Sequence, residues 1–524
     1  MALRVACIGG GPGGLFFSTL FKQTVPEAEV VLFERNQAGD AFGFGVVFSD
    51  ATLNKINEAD PVVHEGLRDF GTHWDDIEVW LKGEQKSFTG NGMAAIYRKT
   101  LLQLMQKRAA EAGVEMRFGQ NVPDLSQLNG FDLIVGADGA NSSTRGQLGE
   151  DLGHTAEMAT AKFIWFGTSH IFKGMTFLHR KSEFGNFAVH GYPISDNLST
   201  FIVETDEDTW RKAGLDEFDV SQPPGPSDLK TQRFLEKLFA EDIAGEPLVA
   251  NSSRWANFRT RRTRSWHKGN VVLLGDAVHT AHFSVGSGTK MAMEDAITLV
   301  REVAAHQDDL ETAFTNYEAE RQPQVAKIQN QARGGLSWWE HFARYYDSFD
   351  PTQFTFHFFS RSINIDKIRQ RDAGLVQSVE EDWLARHGHA PLETPLEAGP
   401  IRFDGRLLSL CKQNGRTVLN GAGGSLDLVT DPADANATSA LLLTAPDTEE
   451  GLAAVFDQLP AQAAAIVIQG GNPFTRTLLS EEARLGRGLT SVLIDDRGPV
   501  SALTLVLSGR ADAVASTATE APDA

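Results

Sequence analysis

The sequence predicts an α/β protein on three observations: a glycine-rich turn between an apolar strand and a helix at the N-terminus, two strand-like runs around a polar turn near residue 196, and alternating strand-like and helix-like runs after residue 400. The first implies a Rossmann-type (GxGxxG) domain, the second a substrate domain on a mostly antiparallel sheet interleaved with it, and the third a small C-terminal α/β domain. In order, Val5–Ile8 reads as a buried strand, Gly13–Gln23 as a helix and Glu29–Glu34 as a second strand, a compact βαβ opening. Asn186–Pro193 and Ser199–Glu204 flank Ser195-Asp196-Asn197 and read as an antiparallel pair. Leu310–Tyr346 reads as one long helix. Of the 47 aromatic residues 44 precede Pro395, and the segment LETPLEAGP carries two prolines and a glycine, so a boundary is expected there. Residues 1–391 hold the interleaved domains, 392–400 a linker, 401–514 the small α/β domain and 515–524 a disordered tail. Beyond the linker, Ala440–Leu443, Ala464–Ile468 and Ser491–Ile494 read as strands, with helices over Thr448–Leu459, Arg476–Leu485 and Pro499–Leu507.

Composition excludes several classes of function. The 524 residues carry a net charge of −21, which repels phosphate backbones and anionic membrane surfaces, so neither nucleic acid nor membrane is an expected partner. Two cysteines, Cys7 and Cys411, supply no disulfide framework and no multi-cysteine metal site, which points to the reducing cytoplasm. His279 and His282 form a His-x-x-His pair without a third ligand at useful spacing, so no metal is expected.

The densest local signal is Gly9-Gly10-Gly11-Pro12-Gly13-Gly14, which supplies GxGxxG as Gly9, Gly11 and Gly14, answered by Glu34 twenty residues after Gly14. The first glycine turns the chain, the second lets backbone amides approach a pyrophosphate, and the third lets helix and strand pack closely. The helix N-terminus adds partial positive charge, and Glu34 suits the ribose hydroxyls of a dinucleotide.

Two further segments, DLIVGADGANSSTR (Asp132–Arg145) and VVLLGDAVHTAHFSVGSGTKMAMEDAITL (Val271–Leu299), resemble the DG and GD fingerprints of single-component FAD-dependent aromatic hydroxylases. The resemblance implies an FAD-binding domain in which Asp276 bonds a ribityl hydroxyl, Gly286 and Gly288 open a helix aimed at the flavin, and Arg98 in IYRKTLLQLM touches the ribityl or pyrophosphate part. It extends the cofactor contacts to Asp138, Arg35, Gly45 and Val46. Phe283 stands where many relatives have proline. FERNQAGDAFGFGVVFSDATLNKINEADP (Phe33–Pro61), HWDDIEV (His73–Val79) and SWWEHFARYYDSFDPTQFTFHFFSRS (Ser337–Ser362) narrow the likeness to salicylyl-CoA 5-hydroxylases and anthraniloyl-CoA monooxygenases, over roughly Met1–Arg371. The implied reaction is aromatic hydroxylation through a flavin C4a-hydroperoxide, with NADH or NADPH as cosubstrate, O2 as oxidant and an aromatic CoA thioester as substrate. Salicylyl-CoA would give its 2,5-dihydroxy product, with anthraniloyl-CoA or a tryptophan-derived aromatic as the alternative substrates that the resemblance implies.

Arg254, Arg259, Arg261, Arg262 and Arg264 form a cationic island just before the GD strand, in which Arg259, Arg261 and Arg262 suit the phosphates of CoA as well as they suit surface pairing with acids. His282, Phe283, Tyr192 and His190 are expected to line the active site. The aromatic run from Trp338 to Phe359 suits a core or a dry wall beside a flavin. Halogenase and disulfide-reductase readings lack their tryptophan and cysteine motifs, and a flavin-binding sensor stays open. The C-terminal domain is expected to be a shortened remnant of a barrel that holds no second flavin and serves packing or homodimerisation.

Overall fold

The computed structural model describes residues 2–49, 53–221, 225–413 and 415–517. The chain divides into two compact units, Met1–Trp80 with Gly90–Glu340, and Leu81–Thr89 with His341–Ala524.

The first unit is built on a sheet ordered His267–Lys268, Val271–Leu273, Leu133–Gly136, Arg4–Ile8, Glu29–Glu34, Glu115–Phe118, parallel except for its first edge strand. Its central strands are apolar runs because helices cover both faces, leaving no side for polar residues. Cys7 stands between Leu32 and Val135 in register. Between the first and second strands runs the helix Pro12–Thr24, with Gly11 as N-cap and proline at its first turn, burying Leu15, Phe16, Phe17 and Phe21. A Cβ at Gly13 would lie 2.7 Å from Leu274 and 3.1 Å from Ala292, so this glycine lets the helix close onto the helix Gly288–Ala305. The expected βαβ opening is thus present with bounds one residue longer at three of its ends.

The chain leaves this sheet after Leu133–Gly136 and rejoins it at His267–Lys268, and the excursion builds the second sheet. That sheet runs Leu248–Val249, His154–Thr168, Leu198–Thr205, Asn186–Ser195, Met175–Lys181, with Ala256–Thr263 pairing the other half of the long strand. The antiparallel pair places Val189 opposite Val203 and His190 opposite Ile202. Ile164, Phe166, Phe187, Phe201 and Phe239 are buried in its core. A small sheet of Gly45–Ser49, Met93–Tyr97 and Thr72–Trp74 completes this unit, with residues 310–340 of the helix Leu310–Ser348.

In the second unit the strands Leu407–Gln413, Arg416–Gly421, Gly424–Val429, Ala440–Ala445, Ala465–Gly470, Ser491–Ile494 and Ala513–Thr517 close into a barrel. The first three pair antiparallel as a meander; the last four are parallel, and Ala513–Thr517 closes the ring by pairing parallel with Leu407–Gln413. Three expectations change here. The segment 392–400 is no free linker: Leu396–Ala398 pairs with Ile401–Phe403, and Leu396, Ala398 and Phe403 are buried against the barrel, because proline and glycine punctuate a hairpin as readily as a linker. The unit also begins at His341 and not at 401, since Phe349 and the aromatic helix Pro351–Phe359 are buried; a Cβ at Gly509 would lie 2.8 Å from the Phe349 ring. Of the expected disordered tail 515–524, residues 515–517 complete the last strand, and 518–524 lie outside the described residues. Among the described residues no helix is long and apolar enough to cross a membrane.

A polar cluster stands inside this unit. Glu481 accepts from the Tyr345 hydroxyl at 2.5 Å, lies 3.1 Å from His357 Nε2 and 3.5 Å from Arg510 Nε, all four buried. Burial alone would raise the Glu481 carboxyl, but the bonds and charges of His357, Arg510 and Tyr345 outweigh it and hold it down at about 2. Glu481→Gln leaves Arg510 without its counter-ion and is expected to cost this unit about 3–5 kcal/mol, read as a lowered denaturant midpoint. Because the folded carboxyl is depressed, its contribution is complete above the ordinary value of 4.5 and fades as pH falls toward about 2. The gap between wild type and variant should narrow over that window.

Candidate active site

A cavity of about 1390 Å³ opens within the first unit, between the N-terminus of the first helix, the GD turn and the antiparallel sheet. It exceeds the roughly 300–1,000 Å³ of ordinary small-ligand pockets and so has room for two ligands. One end is polar and backbone-rich; the other is aromatic.

At the polar end Gly9 and Gly14 have the turning and packing roles their spacing predicts. Gly9 sits at φ +116°, where a Cβ would lie 2.3 Å from the Ala137 carbonyl oxygen, and a Cβ at Gly14 would lie 2.0 Å from that of Gly9. Gly11 differs: a Cβ there meets nothing within 4 Å, because it faces the open cavity at the helix N-terminus. Glu34 does not line the cavity. Its Oε2 accepts the Gly10 N–H at 2.6 Å and its Oε1 accepts the Asn36 N–H and amide, which braces the glycine turn from outside. Arg35 is exposed at the strand end, away from the cavity lining. Asp138 is occupied too, accepting from Ser142 at 2.5 Å and from the Thr144 N–H and hydroxyl at 3.0 Å, which fixes the start of the helix Ser143–Leu148. Its neighbour Gly139 lines the cavity instead. Arg145 ties this loop to the GD turn by donating to the Ala277 carbonyl at 2.6 Å and to that of Ala140.

The GD turn, Gly275–Ala277, aims Asp276 into the cavity. The carboxylate is open to that space yet ringed by protein mass, and this desolvation raises its pKa against the opposing pull of His279, Arg98 and Arg261. Behind the turn, His279 Nε2 meets Asp295 Oδ2 at 2.7 Å, so this histidine is committed to the scaffold. Arg98 opens the helix Arg98–Ala112 and lines the cavity; its Nε is buried without a partner among the described residues, as is Ser287 Oγ at the mouth of the helix Gly288–Ala305. Orphaned donors at the cavity surface, the open face of Gly11 and a carboxylate suited to hydroxyls fit a polar cofactor of dinucleotide size. Gly45, Val46, Gly286 and Gly288 line the same space. A Cβ at Gly45 would lie 2.4 Å from Ile194 and 2.9 Å from Tyr192, so glycine there lets the small sheet reach the antiparallel one.

The aromatic end is framed by Phe163, Trp165, Phe177, Phe258 and Phe283. Phe283 sits edge-on to Phe163 at 5.1 Å and 5.7 Å from the His190 ring, so the residue that departs from proline becomes part of the wall. Tyr192 and His190 line the space, whereas His282 turns its Nδ1 to Ser284 and leaves the lining. Sequence reasoning overlooked Glu204: it lies in the strand next to His190, fully buried, with Oε1 2.8 Å from His190 Nε2. Burial pushes its carboxyl up to about 8, opposed by His282 and reinforced by Glu340. From the aromatic run, Trp339 packs on His190 at 4.2 Å; Phe354, Phe356, Phe358 and Phe359 are core of the second unit.

The cationic island splits by strand alternation. Arg259 and Arg261 share a face of Ala256–Thr263 and line the cavity, while Arg262 points away and pairs with Glu157 at 3.1 Å. Arg261 donates to Asn141 at 3.2 Å and stands near Asp276, which puts it at the cofactor end. Arg259 faces the same space as Lys327 of the long helix.

Residues 130–332 match the family described as FAD binding domain. The chain is 53% identical to a salicyloyl-CoA 5-hydroxylase of a Streptomyces species over 98% of its own length and all of that protein. It is 33% identical, over 64% of its length and 89% of the other, to a 3-hydroxy-4-methyl-anthranilyl-[aryl-carrier protein] 5-monooxygenase of Streptosporangium sibiricum. Among solved structures it resembles 2-methyl-3-hydroxypyridine-5-carboxylic acid oxygenase, with a TM-score of 0.53 at 19% identity over 65% of this chain and 93% of that one. A probable FAD-dependent monooxygenase from Pseudomonas aeruginosa gives 0.50 at 21% identity over 65% and 97%. These last two concern the fold. Asp276→Ala is expected to weaken FAD retention by roughly 1.5–3 kcal/mol, the worth of a hydrogen bond to a charged group, or about ten- to a hundredfold in Kd. Fluorescence titration of apoprotein with FAD measures it.

Proposed function

The chain belongs to the FAD-dependent aromatic monooxygenases that include salicyloyl-CoA 5-hydroxylase, and from that premise we propose that it hydroxylates salicyloyl-CoA at ring carbon 5. The observation that carries this reading is identity of 53% along 98% of the chain, second unit included. The carrier-bound aryl group and the 5-position named for the second relative support it. When bound, FAD reduced by NAD(P)H activates O2, puts one oxygen atom on the ring and releases the other as water.

The protein's own residues position and insulate that chemistry. The Gly11 turn and helix N-terminus would hold the pyrophosphate, Asp276 and Arg98 the ribityl chain, and the helix beginning at Gly288 the flavin edge where negative charge collects. The walls formed by Phe163, Trp165, Phe177, Phe258 and Phe283 would hold the aromatic ring and keep water out. A ring hydroxyl donates electrons to its para carbon, so the 2-hydroxybenzoyl group is most reactive at carbon 5, and orientation in this slot decides that this carbon faces the flavin. Arg259 and Lys327 would meet the anionic CoA moiety outside the aromatic end.

Incubating the holoenzyme with NADH and salicyloyl-CoA in air should consume O2 and yield a thioester heavier by one oxygen atom, with free salicylate inert. Equal turnover of the free acid would refute the CoA assignment. Arg259→Ala is expected to raise KM for the thioester about tenfold, a loss of about 1.4 kcal/mol, with FAD content unchanged. Arg262→Ala, at a side chain that pairs with Glu157 away from the cavity lining, should leave KM alone.

A further inference from the structure

We propose that His190, backed by Glu204, takes the proton of the substrate's ring hydroxyl during oxygen transfer and returns it afterwards. The inference rests on the reading of a hydroxylated aromatic acyl group as substrate. It begins from the polar groups available at the aromatic end. The indole of Trp165 can only donate. Burial pushes the Tyr192 hydroxyl up to about 12, so it stays protonated. His190 is the side chain among the described lining residues of this end that can accept a proton near neutral pH. Its Nε2 lies 2.8 Å from Glu204 Oε1, with side-chain exposures of 5% and 1%, and its ring is wedged against Trp339, Phe177 and Phe283. An imidazole that lines the aromatic end, with a carboxyl group 2.8 Å from its Nε2, is the pairing in which a base is positioned by a third group.

The chemistry requires such an acceptor. When the electrophilic oxygen bonds to the carbon para to the hydroxyl, the O–H bond breaks and its electron pair becomes the π bond of a ring carbonyl. The proton passes to His190, and the Glu204 carboxylate balances the imidazolium. Carbon 5 then gives up its hydrogen as a proton, which goes to the oxygen atom released as water; the C–H electron pair restores the aromatic ring, and the carbonyl oxygen regains its proton from His190. The pair ends unchanged, and the oxidant is the one the enzyme already uses. Glu204 touches no substrate; it is a positioning residue that acts through His190.

Several titratable groups face this pair: His282 from the loop after the GD turn, Glu340 from the long helix, and His179 from the neighbouring strand through His190, the last held neutral by burial at about 3. Burial, opposed by His282 and reinforced by Glu340, leaves the Glu204 carboxyl raised to about 8, so below that pH it is neutral and supports no imidazolium. The rate should therefore rise with pH. With holoenzyme, saturating NADH and salicyloyl-CoA, kcat between about pH 6 and pH 9.5 is expected to climb to a plateau in the wild type. Glu204→Gln and His190→Asn should each abolish the climb and lower the plateau by roughly a hundredfold or more, while FAD content and thioester Kd stay near wild type. Independently, rapid mixing of the NADH-reduced wild-type holoenzyme and salicyloyl-CoA with O2 should give slower product formation in D2O than in H2O, a test that needs no variant to fold. Product formation equally fast in D2O, or a wild-type pH profile in a folded variant, would overturn the proposal alone. Absence of any salicyloyl-CoA binding and turnover by the wild type would overturn the substrate reading and this proposal with it.

Discussion

A carboxylate with no access to water, that of Asp295, joins three segments that lie far apart in the sequence. Its Oδ2 accepts the Gly275 N–H at 3.0 Å and meets His279 Nε2 at 2.7 Å, while its Oδ1 accepts Arg321 Nε at 2.8 Å. Burial would raise this carboxyl, and His279 and Arg321 reverse the effect, so the charge persists in the interior. Removing one partner from such a group typically costs about 3–5 kcal/mol, because the remaining charge is left buried and unpaired. The same bonds fix where the GD turn stands relative to the helix that follows it. With Asp295 braced from behind, the adjacent Asp276 faces forward with its oxygens uncommitted to the scaffold.

That division of labour recurs around the cavity. Glu34, Asp138, Arg145 and His279 all carry functional-looking chemistry, yet each spends it on backbone or scaffold partners, and the surface they shape consists of Gly11, Gly139, Arg98, Asp276 and Ser287. A flexible cofactor chain bound by preset backbone groups needs little reorganisation on binding, which is why rigid second partners matter as much as the groups that touch. Glycine at 45 has the corresponding role between sheets: without a Cβ it lets the strand Gly45–Ser49 lie against Ile194 and Tyr192, which brings the polar and aromatic ends into one cavity.

Much of this was legible in the sequence because local physics decides it. The glycine spacing, the strand-turn-helix order and the helix-start position of Arg98 are short-range features, and the structure places them with bounds shifted by a residue or two. What escaped depends on pairing between distant segments. Glu204 sits in the run FIVET, which reads as the end of a strand; only its neighbours Phe163 and Ala188, contributed by two other strands, reveal that it is sealed from water. The fate of Arg259 against Arg262 is equally non-local, since alternation separates them but only the pairing with His154–Thr168, shifted between Met158 and Lys162, decides which face meets the cavity. The segment 392–400 escaped for a different reason. Proline and glycine mark where regular structure stops, and a two-strand hairpin stops as often as a linker does.

Charge raises a last question of physics. A protein of net charge −21 should repel an anionic pyrophosphate and an anionic thioester, yet among the described residues the cavity is lined by six basic side chains, Arg98, Arg254, Arg259, Arg261, Lys290 and Lys327, against two acidic ones, Asp276 and Glu294. The local balance is therefore positive by four. At physiological ionic strength charges separated by more than about 8 Å are largely screened in solvent, whereas those lining a concave, low-dielectric wall act on one another and on a ligand with little screening. An approaching anion thus feels the diffuse acidic surface weakly and the cationic lining strongly. An acidic surface of this kind repels other polyanions, whereas the arginines give the cavity itself the opposite sign. The net charge of the chain and the sign of its site are independent design variables, and here they are opposed.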